Sequence, residues 1–111
     1  MIARAGASAA FIEDNRNVLS PYDPREAIAL KTAAAVAGKS EGTIRRMCID
    51  FAIGRRVGGG TWQVSRVALA MLLDGNRAAL APYHKGDRGS PVVVAYYVRC
   101  RLGDMIARTP G

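Results

Sequence analysis

Apolar positions recur at helical spacing in the middle of the chain. Ile44, Met47, Cys48 and Phe51 fall at i, i+3, i+4 and i+7, which places them on one face of a helix opening at Glu41. At about 100° per residue, Gly42, Arg45, Arg46 and Ile49 then point sideways or away from that face. Ser40 stands where a hydroxyl can accept from the exposed amides of the first turn. Upstream, Thr32 reads as the cap of a short helix, Ala33 to Ala37, and alanine is the best helix former. Gly38 ends it, since glycine takes positive φ without steric cost. Two short helices meeting through a glycine-containing turn predict a helix-turn-helix.

The period then changes. Arg55-Arg56-Val57 and Thr61-Trp62-Gln63-Val64 flank Gly58-Gly59-Gly60, two β-prone arms around a glycine tip, which predicts a hairpin. Trp62 should pack on the helices beneath, leaving the arginines of the first arm exposed. Ser65 caps a third helix, Arg66 to Leu73, ahead of Asp74-Gly75. This helix is apolar nearly all round, so it needs cover on both faces, from the C-terminal segment or from a second subunit. Asn76 to Ala81 extends the helical region until Pro82, and Tyr83 to Gly89 reads as a polar loop. Ser90-Pro91 is a cap with proline at the first helical position. That signal favours helix over 92–106, although the valines and tyrosines there favour strand.

These elements divide the chain into an N-terminal arm and entry segment over 1–29, a winged helix-turn-helix over 30–74, and a C-terminal helical extension over 75–111 suited to dimerisation. In the arm, Ser20-Pro21-Tyr22-Asp23-Pro24 is turn-rich. The fold class expected is mainly α, with a short β-hairpin wing and an additional C-terminal helix.

Charge sharpens this picture. The 111 residues carry a net +7, distributed as −1 over 1–29, +5 over 30–66 and +3 over 67–111. A basic excess that peaks on the helix-turn-helix favours a polyanionic partner, because each neutralised phosphate releases counterions. Cys48 and Cys100 have no neighbouring His or Cys at metal-ligand spacing and read as small buried hydrophobes in a reducing compartment. No strictly apolar run is longer than Val92 to Val98, which is too short for a membrane span, so the expected location is the cytoplasm.

The stretch Leu30 to Leu73 resembles the MerR-like, excisionase-type winged helix-turn-helix family. The matching features are Ala-Ala-Val-Ala-Gly-Lys-Ser in the first helix and turn, then Thr43-Ile44-Arg45-Arg46, Arg56-Val57-Gly58-Gly59, Trp62-Gln63-Val64 and a final helix opening Ser65-Arg66. The resemblance implies that the second helix enters the major groove and that the wing lies along the adjacent backbone or minor groove. Met47 stands where the family often carries an aromatic, Ala52-Ile53 replaces a more polar approach to the wing, and residues beyond Gly75 lie outside the match.

The candidate DNA-binding residues are Lys39, Ser40, Gly42, Thr43, Arg45, Arg46, Arg55, Arg56 and Thr61. Arg45 and Arg46 can read guanine edges or clamp phosphates. Ser40 and Thr43 sit at a helix N-terminus, where free amides favour anions, although Ser40 could equally cap only its own backbone. Arg55 and Arg56 suit backbone contact, but a two-residue period sends them to opposite sides, so one of them can serve structure instead. Lys31 and Lys39 flank the first helix and suit low-specificity phosphate contact.

Other chemistries find less support. Gly54 to Thr61 has glycines and a threonine near phosphate-loop spacing, but Gly60 occupies the place of the required lysine. His84, the sole histidine, has no partner at triad or metal spacing. Tyr96 and Tyr97 could stack on bases, and packing is the simpler role. The expectation is therefore a sequence-specific binder of double-stranded DNA, a transcriptional regulator or an excisionase-like architectural factor. It would be a homodimer and not an enzyme, with no cofactor, metal, small-molecule substrate or membrane partner. The alternative is a non-catalytic protein-interaction or phage-type packaging adaptor.

Overall fold

The computed structural model describes residues 17–56 and 60–104. The elements are β1 (Ala27–Ala29), α1 (Leu30–Ala37), α2 (Glu41–Phe51), β2 (Gly54–Arg56), β3 (Trp62–Ser65), α3 (Arg66–Leu73), α4 (Arg77–His84) and α5 (Pro91–Arg99). The protein is thus mainly helical with one small antiparallel sheet in the order β1-β3-β2. The expected arm before Asn17, residues 57–59 with the first two glycines of the hairpin tip, and the end of the chain from 105 lie outside the described residues.

Strand β1 was not expected from the sequence. Ala27 pairs with Ser65, Ile28 with Val64 and Ala29 with Gln63, so β3 is flanked by β1 on one side and β2 on the other. Because β1 runs straight into α1, sheet pairing fixes where that helix starts. Ala29 takes the cap position in extended backbone with no side-chain cap, and Thr32 lies inside the helix instead of capping it. Gly38 does end α1, at φ 67°.

The caps at Ser40 and Ser65 form as expected. Ser40 Oγ accepts from the Thr43 amide at 3.1 Å, and Ser65 Oγ accepts from the Ala68 amide at 3.0 Å. Ile44 and Cys48 are buried beneath α2, with Met47 and Phe51 partly buried beside them. Ala52 closes α2 in the left-handed region, at φ 53°.

The region after Asp74 departs from expectation. Asn76 caps a separate helix, its Oδ1 accepting from the Ala79 amide at 3.0 Å. Pro82 lies within α4 instead of stopping it, and Tyr83, expected in a polar loop, is fully buried. The bond lost at proline is offset by burial of that large ring with its hydroxyl paired. Likewise Ser90 precedes Pro91 in extended backbone but makes no side-chain cap bond. Asp87 organises this turn, its Oδ1 accepting from the amides of Gly89 at 2.8 Å and Ser90 at 2.9 Å. Those bonds hold the Asp87 carboxyl below its usual range. The segment from Pro91 to Arg99 is helical.

Helix α3 is largely covered within the chain, with Leu73 left exposed at its end. It contacts α1, β3, α4 and α5, and Val67, Ala68, Leu69 and Met71 are all buried. Tyr97 is buried and Tyr96 nearly so, which makes both packing residues. Between these layers sits a buried carboxylate, Glu26. Its Oε2 accepts from the hydroxyls of Ser65 and Tyr83, each at 2.6 Å, and its Oε1 accepts from Tyr97 at 3.0 Å. The Tyr83 hydroxyl in turn accepts from the Leu19 amide at 3.0 Å. Burial, then the neighbouring carboxylate, pushes both phenols up.

Candidate nucleic-acid interface

Helix α2 turns a polar stripe outward: Glu41, Gly42, Thr43, Arg45, Arg46, Ile49 and Asp50 are all exposed. The stripe follows from anchoring Ile44 and Cys48 in the core, which leaves positions one and two residues away facing solvent. Glu41 in the first turn suits the positive end of the helix dipole. At that same end the Ser40 hydroxyl also donates to Thr43 Oγ1 at 2.9 Å, so the cap engages both groups of Thr43.

The hairpin is clamped close to α2 by a missing side chain. A Cβ on Gly54 would lie 2.5 Å from the Gln63 carbonyl oxygen and 2.7 Å from Cys48 Sγ. Glycine therefore lets β2 run directly over the helix. Burial pushes the Cys48 thiol there up to about 12, so it acts as an inert apolar filler. Cys100 is half-buried, less so than expected.

One consequence is a shared depression of about 540 Å³, lined by Leu30, Arg45, Arg56, Gly60, Thr61 and Trp62. It joins one arginine of α2 to one arginine and one threonine of the hairpin, and none of these lining residues is acidic. Trp62, half-buried, lends an apolar wall to it. Arg46 stands exposed on the same helix but outside the depression, as do Lys31 on α1 and Lys39 in the turn.

The two hairpin arginines divide their roles as the two-residue period allows, and they do not both stay exposed. Arg55 is half-buried and donates through Nη2 to the Leu19 carbonyl at 3.3 Å, tying the hairpin to the entry segment. Its Nε is buried without a partner. Arg56 is exposed, and its Nε donates to the Gly60 carbonyl at 3.0 Å.

Several cations elsewhere are already occupied. Arg25 bridges Asp23 and Asp104, Arg99 bridges Asp74, and Arg88 binds the carbonyls of Asn17, Tyr83 and Asp87 while stacking on the Tyr83 ring at 4.0 Å. Among the described residues, Lys31, Lys39, Arg45 and Arg46 have no ion pair. The cations around α2 are thus free to meet a polyanion, whereas Arg25 and Arg99 are neutralised within the chain.

His84 lies at the end of α4 and not in a loop, with Nε2 at 2.9 Å from the Ala52 carbonyl. Among the described residues no group of three or more His, Cys, Asp or Glu could hold a metal ion. No helix there is long and apolar enough to cross a membrane. Compared with protein-family models, curated proteins and solved structures, the chain has no match in any of the three.

Proposed function

We propose that this protein binds double-stranded DNA as a winged helix-turn-helix, with α2 in the major groove and the β2–β3 hairpin as the wing on the adjacent backbone. The observation that carries this reading is the convergence of Arg45 from α2 with Arg56 and Thr61 from the hairpin on one depression without an acidic lining residue. Groove entry suits a helix whose outward face is polar and whose arginines lack carboxylate partners. Arg46 and Thr43 are the base-facing candidates, with Lys39, Ser40, Gly42, Arg56 and Thr61 against phosphate. The role is that of a transcriptional regulator or an excisionase-like architectural factor, needing no cofactor or chemistry.

Fluorescence anisotropy with duplex DNA at two salt concentrations, together with selection from a randomised pool, tests this. Steeply salt-sensitive binding with an enriched motif supports it. No binding at low salt overturns it in favour of a protein-interaction adaptor. Sedimentation then decides whether a second copy joins on an inverted repeat.

A further inference from the structure

A second concave surface lies apart from the DNA-facing residues. It is a hollow of about 420 Å³ lined by Ile28, Val36, Leu69, Ala70 and Leu73, with Cys100 and three arginines, Arg66, Arg99 and Arg101. None of these residues lines the depression beside α2. The apolar surface extends past the hollow, since Val36 is 59% and Leu73 43% exposed at its edge. Among the described residues neither Arg66 nor Arg101 has a carboxylate partner.

The backbone at Arg101 adds an independent observation. Helix α5 ends with the Leu102 amide donating to the Tyr97 carbonyl at 2.7 Å and the Arg101 amide donating to Val98 at 2.9 Å. This is the Schellman arrangement, which favours glycine at the left-handed position. Here that position holds Arg101, at φ 62°. An arginine kept in unfavourable backbone geometry, with its side chain lining the hollow, points to a role for its charge.

We infer that this groove is a docking surface for an acidic amphipathic helix of a partner protein. Its apolar residues would cover Val36, Leu69 and Leu73, and its flanking carboxylates would meet Arg66 and Arg101. Charge complementarity selects this occupant. A two-fold copy of the chain would set the same three arginines against these, and a phosphate backbone has nothing to offer the apolar floor. The inference stands independently of DNA binding.

The test uses a synthetic helical peptide with leucines at i, i+3, i+4 and i+7 flanked by glutamates, a twin with lysines in place of the glutamates, and a twin with alanines in place of the leucines. Titrated into the ¹⁵N-labelled full chain, the glutamate peptide is expected to shift the amides of Val36, Leu69, Leu73 and Cys100. Both twins should bind at least tenfold more weakly. Arg101→Gly suits the left-handed position, so it should raise the melting temperature while weakening the glutamate peptide severalfold. Leu73→Glu should abolish peptide binding and leave affinity for duplex DNA unchanged. Equal binding of the glutamate and lysine peptides, or no shifts at millimolar glutamate peptide, overturns the inference. So does displacement of the peptide by duplex DNA, which would assign these arginines to the DNA surface, or a dimer that Leu73→Glu dissociates.

Discussion

The hydroxyl of Tyr97 donates to Oε1 of Glu26 at 3.0 Å across 71 residues of chain. Through that bond and the one from Tyr83 at 2.6 Å, the carboxylate joins the last two helices to the segment that opens the sheet. Glu26→Ala strips acceptors from three buried hydroxyls. The expected loss is about 3 kcal/mol or more, read from urea denaturation. Tyr97→Phe removes one bond to a charged acceptor and should cost about 1.5–3 kcal/mol. A Glu26→Ala protein as stable as the parent would mean that the carboxylate does not hold these elements together.

Gly54→Ala should damage stability and binding together. The added methyl meets a backbone oxygen at 2.5 Å, which cannot swing aside as a flexible side chain would. Overpacking of this kind costs on the order of 3 kcal/mol, and lifting β2 off α2 should separate Arg56 from Arg45. Denaturation and DNA titration of the same variant check both effects.

The arginines should separate by role. Arg46→Ala is expected to weaken specific binding by about 1–3 kcal/mol if it makes a bidentate base contact. Arg56→Ala should weaken binding to all sequences and lower the salt slope by about 1. Arg55→Ala should chiefly lower stability, because its guanidinium binds the Leu19 carbonyl inside the protein. Unfolding curves beside affinities at two salt concentrations distinguish the three, and an Arg55 variant that lost only affinity would contradict this division.

Acid should loosen the junction between α3 and α5. Hydrogen bonds from Arg99 and then Tyr96 hold the Asp74 carboxyl below its usual range. A lowered carboxylate value means that the contact stabilises fully above the ordinary value, about 4, and loses its contribution as pH falls through the lowered one. The site is exposed, so the contribution is small. In a carboxyl NMR titration the Asp74 midpoint should rise in Arg99→Ala, and an unchanged midpoint would remove Arg99 as the cause.

Local signals were legible where a short stretch of chain decides its own conformation. Ser65 with the apolar run behind it marks α3 at both ends, Gly38 marks the end of α1, and the spacing of Ile44 and Cys48 gives the inward face of α2. What escaped depends on distant partners. Ala-Ile-Ala carries little strand preference and becomes β1 only by pairing with β3. Glu26 carries no local sign of burial, because the hydroxyls that surround it lie 39, 57 and 71 residues away. Pro82 reads as a stop, because the burial that retains it belongs to Tyr83. The candidate site was legible as residue types, while its division into bracing Arg55 and outward Arg56 needed the position of Leu19.

The buried carboxylate also has a consequence during synthesis. The order of synthesis is set by the chain itself: β1, α1 and α2 emerge from the ribosome before the phenols that satisfy Glu26. Until Tyr97 has emerged, the segment that opens the sheet carries a carboxylate lacking its last donor. The later helix α5 therefore completes the footing of the earlier strand β1.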